Sequence, residues 1–259
     1  MKKIIILFFL SLCFVFAKPK VAVAIPPLDY IIQTITEKRF LVHSLYSENY
    51  LTENLSRKEV REITKNLVYL TLNLPKEKEP IKYLKAISKI DIVDVSKGII
   101  KIDNNPYVWT DPLNFRIIVL NVYEEIIKLD TTNQEIYSNN LDKLLSEIDE
   151  IFLNTKKDIF TLENYNLYVF DEFWEYYAKR YRLNFFKRDK TYFDAKQIYE
   201  TILFTREKSI KKLLIDPNDE QKLITFFTSN SETTAIKNNI FTRNWEANIN
   251  QLTKDIIEK

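Results

Sequence analysis

The chain is nearly devoid of glycine, histidine and cysteine, with one of each among 259 residues. The single glycine, Gly98, excludes the glycine-rich loops that cradle phosphate groups. We expect asparagine to fill many of the left-handed turn positions that glycine normally occupies. One histidine and one cysteine cannot supply a Ser–His–Asp or Cys–His set, so the sequence does not predict an enzyme.

The first 17 residues have the pattern of a secretory signal peptide. Lys2 and Lys3 precede an apolar run over residues 4–16, and Ala17 stands where a signal peptidase would cut. The only cysteine, Cys13, follows Leu12, whereas a lipid-attachment motif requires a small residue there, so we expect no lipid anchor. The mature protein is therefore predicted to be exported to a bacterial periplasm and to contain no disulfide.

The charges of the mature chain balance. The whole chain has 38 Lys and Arg against 36 Asp and Glu, and Lys2 and Lys3 account for the difference. No basic block or basic face indicates nucleic-acid binding. No second apolar run is long enough to cross a bilayer, so we expect a soluble protein. About 240 residues are enough for one large domain or two small ones.

Strands and helices alternate in the first half, which predicts an α/β fold with a mostly parallel sheet. A strand over residues 20–25 ends at Pro26-Pro27, which opens a helix. Ser56 and Glu59 form a capping-box pattern ahead of another helix. Further strands are predicted at residues 40–46, 68–74 and 90–95, with a loop at 75–80 and a short helix at 81–87.

Residues 105–112 (NPYVWTDP) separate two halves of similar layout. Asp111 and Pro112 open a helix, and a second capping box at residues 132–135 opens one of roughly 25 residues that can join two lobes. Strands and helices alternate again from residue 166, with Asp194 as a helix cap. We predict an N-terminal lobe at 18–130, a linking helix at 131–160 and a C-terminal lobe at 161–259.

Several short motifs occur in an order and spacing that are specific together. They are AIPPLDYI at residues 24–31, VDVSKGI at 93–99, PYVWTDP at 106–112, KLD at 128–130, VFDEFW at 169–174 with Tyr177 and Ala178, and IDP at 215–217. On these motifs the chain resembles the zinc/manganese solute-binding proteins of ABC transporters, a cluster that includes metal-binding lipoproteins and adhesins. The resemblance implies two α/β lobes, a long backbone helix and one metal ion between the lobes.

The ligand positions implied by the resemblance are altered in this chain. The first histidine position falls at about Leu51, the second is Tyr107 and the third is Asp171. The fourth ligand, an acid, would lie in the loop around residues 241–244, which has no carboxylate. Leucine cannot bind a metal, and a tyrosine phenol is a reluctant ligand at neutral pH. Asp171 is chemically acceptable, because manganese tolerates oxygen ligands.

Other candidate ligands have simple structural alternatives. The sole histidine, His43, lies inside a predicted strand, and a lone histidine is more often packed or solvated than bound to metal. Glu48 and Glu53 flank the altered loop and could substitute for its missing ligand. Asp216 has the pattern of a strand-end turn. We interpret Trp109 and Trp174 as core residues near the cleft, and Tyr107 allows either a core or a binding interpretation.

The leading hypothesis is a periplasmic solute-binding protein of a zinc/manganese-type importer with a weakened or altered metal site. It would act as a monomer that carries Zn²⁺ or Mn²⁺, or another small solute, between its lobes to an inner-membrane ABC permease. The alternative is a repurposed member that binds no metal. Such a protein would be accessory or adhesin-like, or would bind an organic solute or a metal chelate.

Overall fold

The protein consists of two α/β lobes joined by a long helix, as the computed structural model of residues 18–187 and 195–258 shows. The predicted cap Asp194 lies outside these residues. The first lobe contains β1 (Lys20–Val23), α1 (Pro26–Thr36), β2 (Leu41–Ser44), α2 (Arg57–Glu62), β3 (Val68–Thr71), α3 (Lys78–Ile87), β4 (Asp91–Asp94) and α4 (Pro112–Leu129). The linking helix is α5 (Gln134–Ile159), and the second lobe contains β5 (Asn166–Val169), α6 (Glu175–Tyr181), β6 (Asn184–Lys187), α7 (Ala195–Glu207), β7 (Lys212–Ile215), α8 (Gln221–Ser231), β8 (Thr234–Lys237) and α9 (Trp245–Ile257).

The two sheets have the same topology. Their strand orders are β2-β1-β3-β4 and β6-β5-β7-β8, and each described pairing is parallel. Parallel strands need crossover helices, which the alternating sequence provides. The predicted fold class is therefore confirmed. Loops that follow the carboxyl ends of parallel strands are the usual place for a ligand in such sheets, and this directs attention to the loops after β2, β4, β5 and β8.

Helix α5 spans 26 residues, about 39 Å at 1.5 Å per residue. One face is buried, and the buried side chains recur at helical spacing: Tyr137, Leu141, Leu144, Ile148, Ile151, Thr155 and Ile159. This face packs against α1, α4 and α9. Because those helices come from both ends of the chain, α5 supports both lobes at once.

The second predicted capping box is not formed. Residues Thr131–Asn133 make a short 3-10 turn, and no side chain caps the first amides of α5. Instead, the carboxylate of Asp130 accepts hydrogen bonds from Asn133 Nδ2 at 2.7 Å and from the Tyr137 hydroxyl at 2.6 Å. The local pattern is thus overridden by a carboxylate that reaches forward into the helix. The box at Ser56 and Glu59, by contrast, is formed in both directions.

The prediction of a loop at residues 75–80 is wrong. A 3-10 turn covers Pro75–Glu77, and α3 starts at Lys78. Pro80 therefore lies in the first turn of α3, where proline is tolerated because the amides there have no partner within the helix. β8, a four-residue strand that pairs with β7, is not predicted by the sequence pattern.

Asparagine does not take most of the left-handed positions. Among the described residues, eight other than glycine have positive φ, and of these only Asn73 and Asn104 are asparagine. Glu37, Arg182 and Glu232 instead end α1, α6 and α8 in the left-handed conformation. A non-glycine residue there costs about 1–2 kcal/mol, which the satisfied carbonyls of the last helical turn help to offset.

One charged group is deeply buried beside the first sheet. The Glu77 carboxylate accepts hydrogen bonds from the hydroxyls of Tyr69 and Thr71, both at 2.6 Å, and from the backbone amide of Leu74 at 2.7 Å. Burial nevertheless raises the pKa of Glu77, because the charged form loses its hydration. The carboxylate fixes the turn that leads from β3 into α3.

The raised pKa of Glu77 predicts the sign of a pH effect. The folded state holds the Glu77 proton more tightly than the unfolded state, so this group favours folding at low pH. That contribution is lost as the pH rises from the unfolded to the folded pKa. We expect the free energy of unfolding of the wild type to fall relative to that of Glu77→Gln across this range. Urea denaturation of both proteins from pH 4 upward measures it, and parallel pH profiles would contradict the prediction.

Candidate functional site

The segment after β4 is held rigidly against the second lobe. The Asn105 side chain donates to the Glu172 carbonyl and to the Glu175 carboxylate, both at 2.8 Å. The Tyr176 hydroxyl donates to the Asn105 carbonyl at 2.7 Å. Asn105 Oδ1 in turn accepts from the Tyr107 amide at 2.9 Å. Tyr107 is therefore fixed at the interface of the two lobes by contacts to the start of α6.

Five buried rings meet at this interface, and we refer to Tyr50, Tyr107, Trp109, Phe173 and Phe241 as the aromatic cluster. The Tyr107 ring packs edge-on against Phe173, with centroids 4.7 Å apart. Phe241 stacks on Tyr50 at 4.5 Å. These rings come from the loops after β2, β4, β5 and β8, which belong to both sheets. They fill the place between the lobes with apolar side chains.

The Tyr107 phenol is unsuited to metal binding. The residue is only 8% exposed, and burial raises its pKa well above the usual value. The negative charges of Glu172 and Asp171 raise this pKa further. With its pKa raised, Tyr107 stays a protonated, packed ring at neutral pH. Metal binding would require the phenolate, which is not formed under these conditions.

Leu51 lies in the loop after β2 with its side chain partly buried against the core. The Lys76 ammonium group donates to the carbonyls of Tyr50 at 2.8 Å and Leu51 at 3.1 Å. It also lies 5.5 Å from the centre of the Tyr50 ring. The backbone oxygen of Leu51, the one atom of this residue that could bind a cation, is thus already engaged by a lysine.

Asp171 follows β5 and is partly buried. Its charge contributes to the raised pKa of Lys187, whose ammonium group pairs with Glu172 at 3.0 Å. Asp171 is the one residue of the three predicted positions with a chemically suitable side chain. Asp171 lies two residues before Phe173, whose ring contacts Tyr107, and Leu51 directly follows Tyr50 of the same aromatic cluster.

The other predicted candidates have structural partners. The Glu53 carboxylate accepts from Ser47, both from its amide at 2.7 Å and from its hydroxyl at 2.8 Å. Asp216 accepts twice from Asn218 at 2.8 Å, as expected of a strand-end turn. His43 is exposed on β2, an edge strand of the first sheet. None of these three residues belongs to the aromatic cluster.

Two tryptophans, Trp109 and Trp245, connect the lobes through their indole nitrogens, and Trp174 makes its indole contact within the second lobe. Trp109 Nε1 donates to the Ile240 carbonyl at 2.8 Å, and Trp245 Nε1 donates to the Trp109 carbonyl at 2.7 Å. Trp174 Nε1 donates to Asn238 Oδ1 at 2.7 Å. Trp109 and Trp174 are both buried, as the sequence analysis predicted. Each of them also holds the segment that follows β8.

That segment also carries Arg243, a residue that the sequence pattern does not single out. The Arg243 guanidinium pairs with Asp29 in the first turn of α1, and the Arg243 amide donates to Glu48 Oε1 at 2.7 Å. An arginine in a loop where an acid was expected is the signal that could have indicated it. Its two partners lie about 200 residues away in sequence, so no local pattern could identify them.

Among the described residues, no group of three or more His, Cys, Asp or Glu side chains is arranged to hold a metal ion. A zinc site normally has four protein or water ligands, at least three of them from the protein. The residues of the aromatic cluster do not fit this requirement.

In the same described part of the chain, no helix is both long and apolar enough to cross a bilayer.

Comparison with known proteins matches nearly the whole chain to one family. A family model described as "Zinc-uptake complex component A periplasmic" matches residues 21–253. An uncharacterized protein of Rickettsia prowazekii (strain Madrid E) is 24% identical over 256 residues, which cover 93% of this chain and 85% of that protein.

Solved structures show the same fold at low sequence identity. A crystal structure of ZnuA gives a TM-score of 0.85 at 18% identity, covering 93% of this chain and 98% of the other. The metal-dependent lipoprotein YcdH of Bacillus subtilis gives 0.80 at 16%, covering 93% and 98%. A mutant manganese-bound periplasmic metal-binding protein of Candidatus Liberibacter asiaticus gives 0.79 at 16%, covering 92% and 100%. At these identities the structures establish the fold and not the bound solute.

Proposed function

Because the chain belongs to the family of periplasmic zinc-uptake complex A components, which are solute-binding proteins and not enzymes, we propose that it serves an ABC importer with an altered metal site. The proposal has the solute bound between the lobes near Asp171. The monomeric protein would then deliver the solute to an inner-membrane permease. The predicted signal peptide at residues 1–17 would direct the chain to the periplasm. We propose the same division as before: an N-terminal lobe at 18–130, a linking helix at 131–160 and a C-terminal lobe at 161–259.

The aromatic cluster is the observation that supports an altered site. Its ring Tyr107 is buried at one of the ligand positions that the resemblance implies, and of those positions Asp171 alone offers a carboxylate. One carboxylate with backbone oxygens and water holds a divalent ion weakly. We therefore expect the protein to bind Zn²⁺ or Mn²⁺ more weakly than a site with four good ligands would.

Metal binding can be measured directly. Metal-free protein is dialysed against zinc or manganese and analysed for metal content, together with Asp171→Ala. We expect one bound ion per chain in the wild type and at least about tenfold weaker binding in Asp171→Ala, since a tenfold change corresponds to the loss of about 1.4 kcal/mol. Glu172→Ala is the control, because that neighbouring carboxylate already pairs with Lys187. The absence of uptake by the wild type would refute metal delivery.

The same cluster favours a second candidate function. If the lobes part, the rings of Tyr107, Phe173 and Phe241 would face an organic solute or a metal chelate, which they suit better than a bare cation because aromatic rings bind flat apolar groups. In that case the aquo ions would fail to raise the melting temperature, while a chelated metal would raise it. Thermal unfolding with zinc alone and with zinc bound to an aromatic chelator distinguishes the two candidates.

A further inference from the structure

The loop between β8 and α9 is tied to the first lobe by polar contacts at the rim of the aromatic cluster. Arg243 Nε donates to Asp29 Oδ2, and the Arg243 amide donates to Glu48 Oε1 at 2.7 Å. Asn239 Nδ2 donates to the Glu48 carbonyl at 2.9 Å. We call Asp29, Glu48, Asn239 and Arg243 the latch. Its members come from α1, from the loop after β2 and from the loop after β8, so it spans both lobes.

One of the two acids of the latch is neutralised by the protein itself. The Arg243 guanidinium pairs with Asp29, whereas the Glu48 carboxylate accepts a hydrogen bond from the backbone amide of Arg243. The Arg243 side chain is 49% exposed and that of Asp29 only 17%, so the carboxylate is partly withdrawn from water. A carboxylate in that position requires a cation, and the arginine supplies one.

Apolar packing directly below the latch depends on the same loop. Phe241, two residues before Arg243, stacks on Tyr50, two residues after Glu48. One residue further on, Asn244 caps α9 by accepting from the Ala247 amide at 3.1 Å. Movement of Arg243 away from Asp29 would therefore pull on the aromatic cluster and on the start of α9. The latch and the cluster are expected to open together.

We propose that Arg243 acts as a built-in cation that holds the two lobes together without a solute. A divalent ion that approaches Asp29 or Glu48 must compete with a guanidinium already in place and with the backbone amide that holds Glu48. The latch thus disfavours bare metal ions at this rim. The effect on metal binding rests on the proposed function, whereas the closure of the lobes does not.

Hydrogen exchange followed by mass spectrometry tests the closure in Arg243→Gln. Peptides that cover residues 45–53 and 239–244 contain both sides of the latch, and their amides exchange when the interface opens. We expect exchange in both peptides to accelerate about tenfold in the variant. High salt should accelerate exchange in the wild type, because salt screens an exposed ion pair. It should not change exchange in Arg243→Gln, which has no such pair to screen. Equal exchange in the two proteins at all salt concentrations would overturn the proposal.

Two further variants keep the test independent of a folding defect. Asp29→Asn removes the other member of the ion pair and should give the same acceleration, and the double variant should add nothing to it. Arg39→Gln is the matched control, since Arg39 pairs with Glu37 at 2.6 Å within the first lobe. Acceleration in the control equal to that in Arg243→Gln would contradict a role of the latch.

Zinc titration of the same proteins separates the two proposals. Arg243→Gln should bind zinc about tenfold more tightly than the wild type, and Asp29→Asn should not, because it removes an acid along with the pairing. Faster exchange without zinc uptake in any protein would support the latch and refute metal delivery. Zinc uptake that depends on Asp171, with exchange unchanged in Arg243→Gln, would refute the latch and leave metal delivery intact.

Discussion

Replacing Trp245 with alanine should lower the free energy of unfolding by about 3–5 kcal/mol, the usual cost of deleting a large buried ring. Trp245 is buried and stacks on Phe115, with centroids 3.9 Å apart and planes within 8°. Its indole nitrogen also donates to the Trp109 carbonyl at 2.7 Å. Since Phe115 belongs to α4 of the first lobe and Trp245 begins α9 of the second, the substitution removes packing between the two lobes. Urea denaturation followed by circular dichroism measures the change.

Two control variants divide this effect into its causes. Trp245→Phe keeps a ring against Phe115 and loses the indole hydrogen bond, so we expect a cost of about 1–2 kcal/mol. Phe160→Ala removes a ring that is 82% exposed, so its cost should stay within about 0.5 kcal/mol. If Trp245→Ala cost no more than Phe160→Ala, the α4–α9 contact would not be important for stability.

The second large effect is expected for Arg180→Ala, which should cost about 3 kcal/mol or more. Arg180 Nε and Nη2 donate hydrogen bonds to both carboxylate oxygens of Asp111 at 2.6–2.9 Å, and the Asp111 side chain is only 4% exposed. Removing the guanidinium leaves a buried carboxylate that still accepts a hydrogen bond from the Leu113 amide of α4, at 3.0 Å, but has no cation beside it. Breaking one side of a buried pair is costly because the remaining charge is uncompensated.

A matched pair in the same structure provides the control. Arg116 and Asp149 connect α4 and α5 at 3.2 Å, but their side chains are 38% and 48% exposed. Exposed pairs contribute about 0–1 kcal/mol, so Arg116→Ala should barely change the free energy of unfolding. Chemical denaturation of both variants at one pH gives the comparison. Equal effects in the two variants would show that burial of Asp111 does not determine the strength of the pair.

Most elements of the fold were predictable from local pattern. Asp111 caps α4 and the Ser56–Glu59 box opens α2, because each satisfies amides that a helix start leaves free. Pro26 and Pro27 open α1 because proline has no N–H that would need a partner there. The failures also have local causes. β8 is four residues long with a single buried side chain, Ile236, so its sequence carries almost no strand signal. Its strand conformation comes from pairing with β7.

The candidate site was predictable only in part. The resemblance identified positions 51, 107 and 171, and the structure places Tyr107 and Asp171 near each other, with Leu51 beside the aromatic cluster. The surroundings of these residues were not predictable. Phe173 and Phe241 could be any core residues in a chain this rich in aromatics, and nothing local couples Phe241 to Tyr50.

The sequence by itself determined the alternating strands and helices, the long connecting helix and the scarcity of histidine and cysteine, because these follow from local periodicity and composition. Only the tertiary structure decided which residues meet between the lobes. Arg243 and Asp29 are 214 positions apart, and Trp109 and Trp245 are 136 apart. Contacts at such separations form when two sheets are brought together by a shared helix, and they depend on the packing of the whole chain.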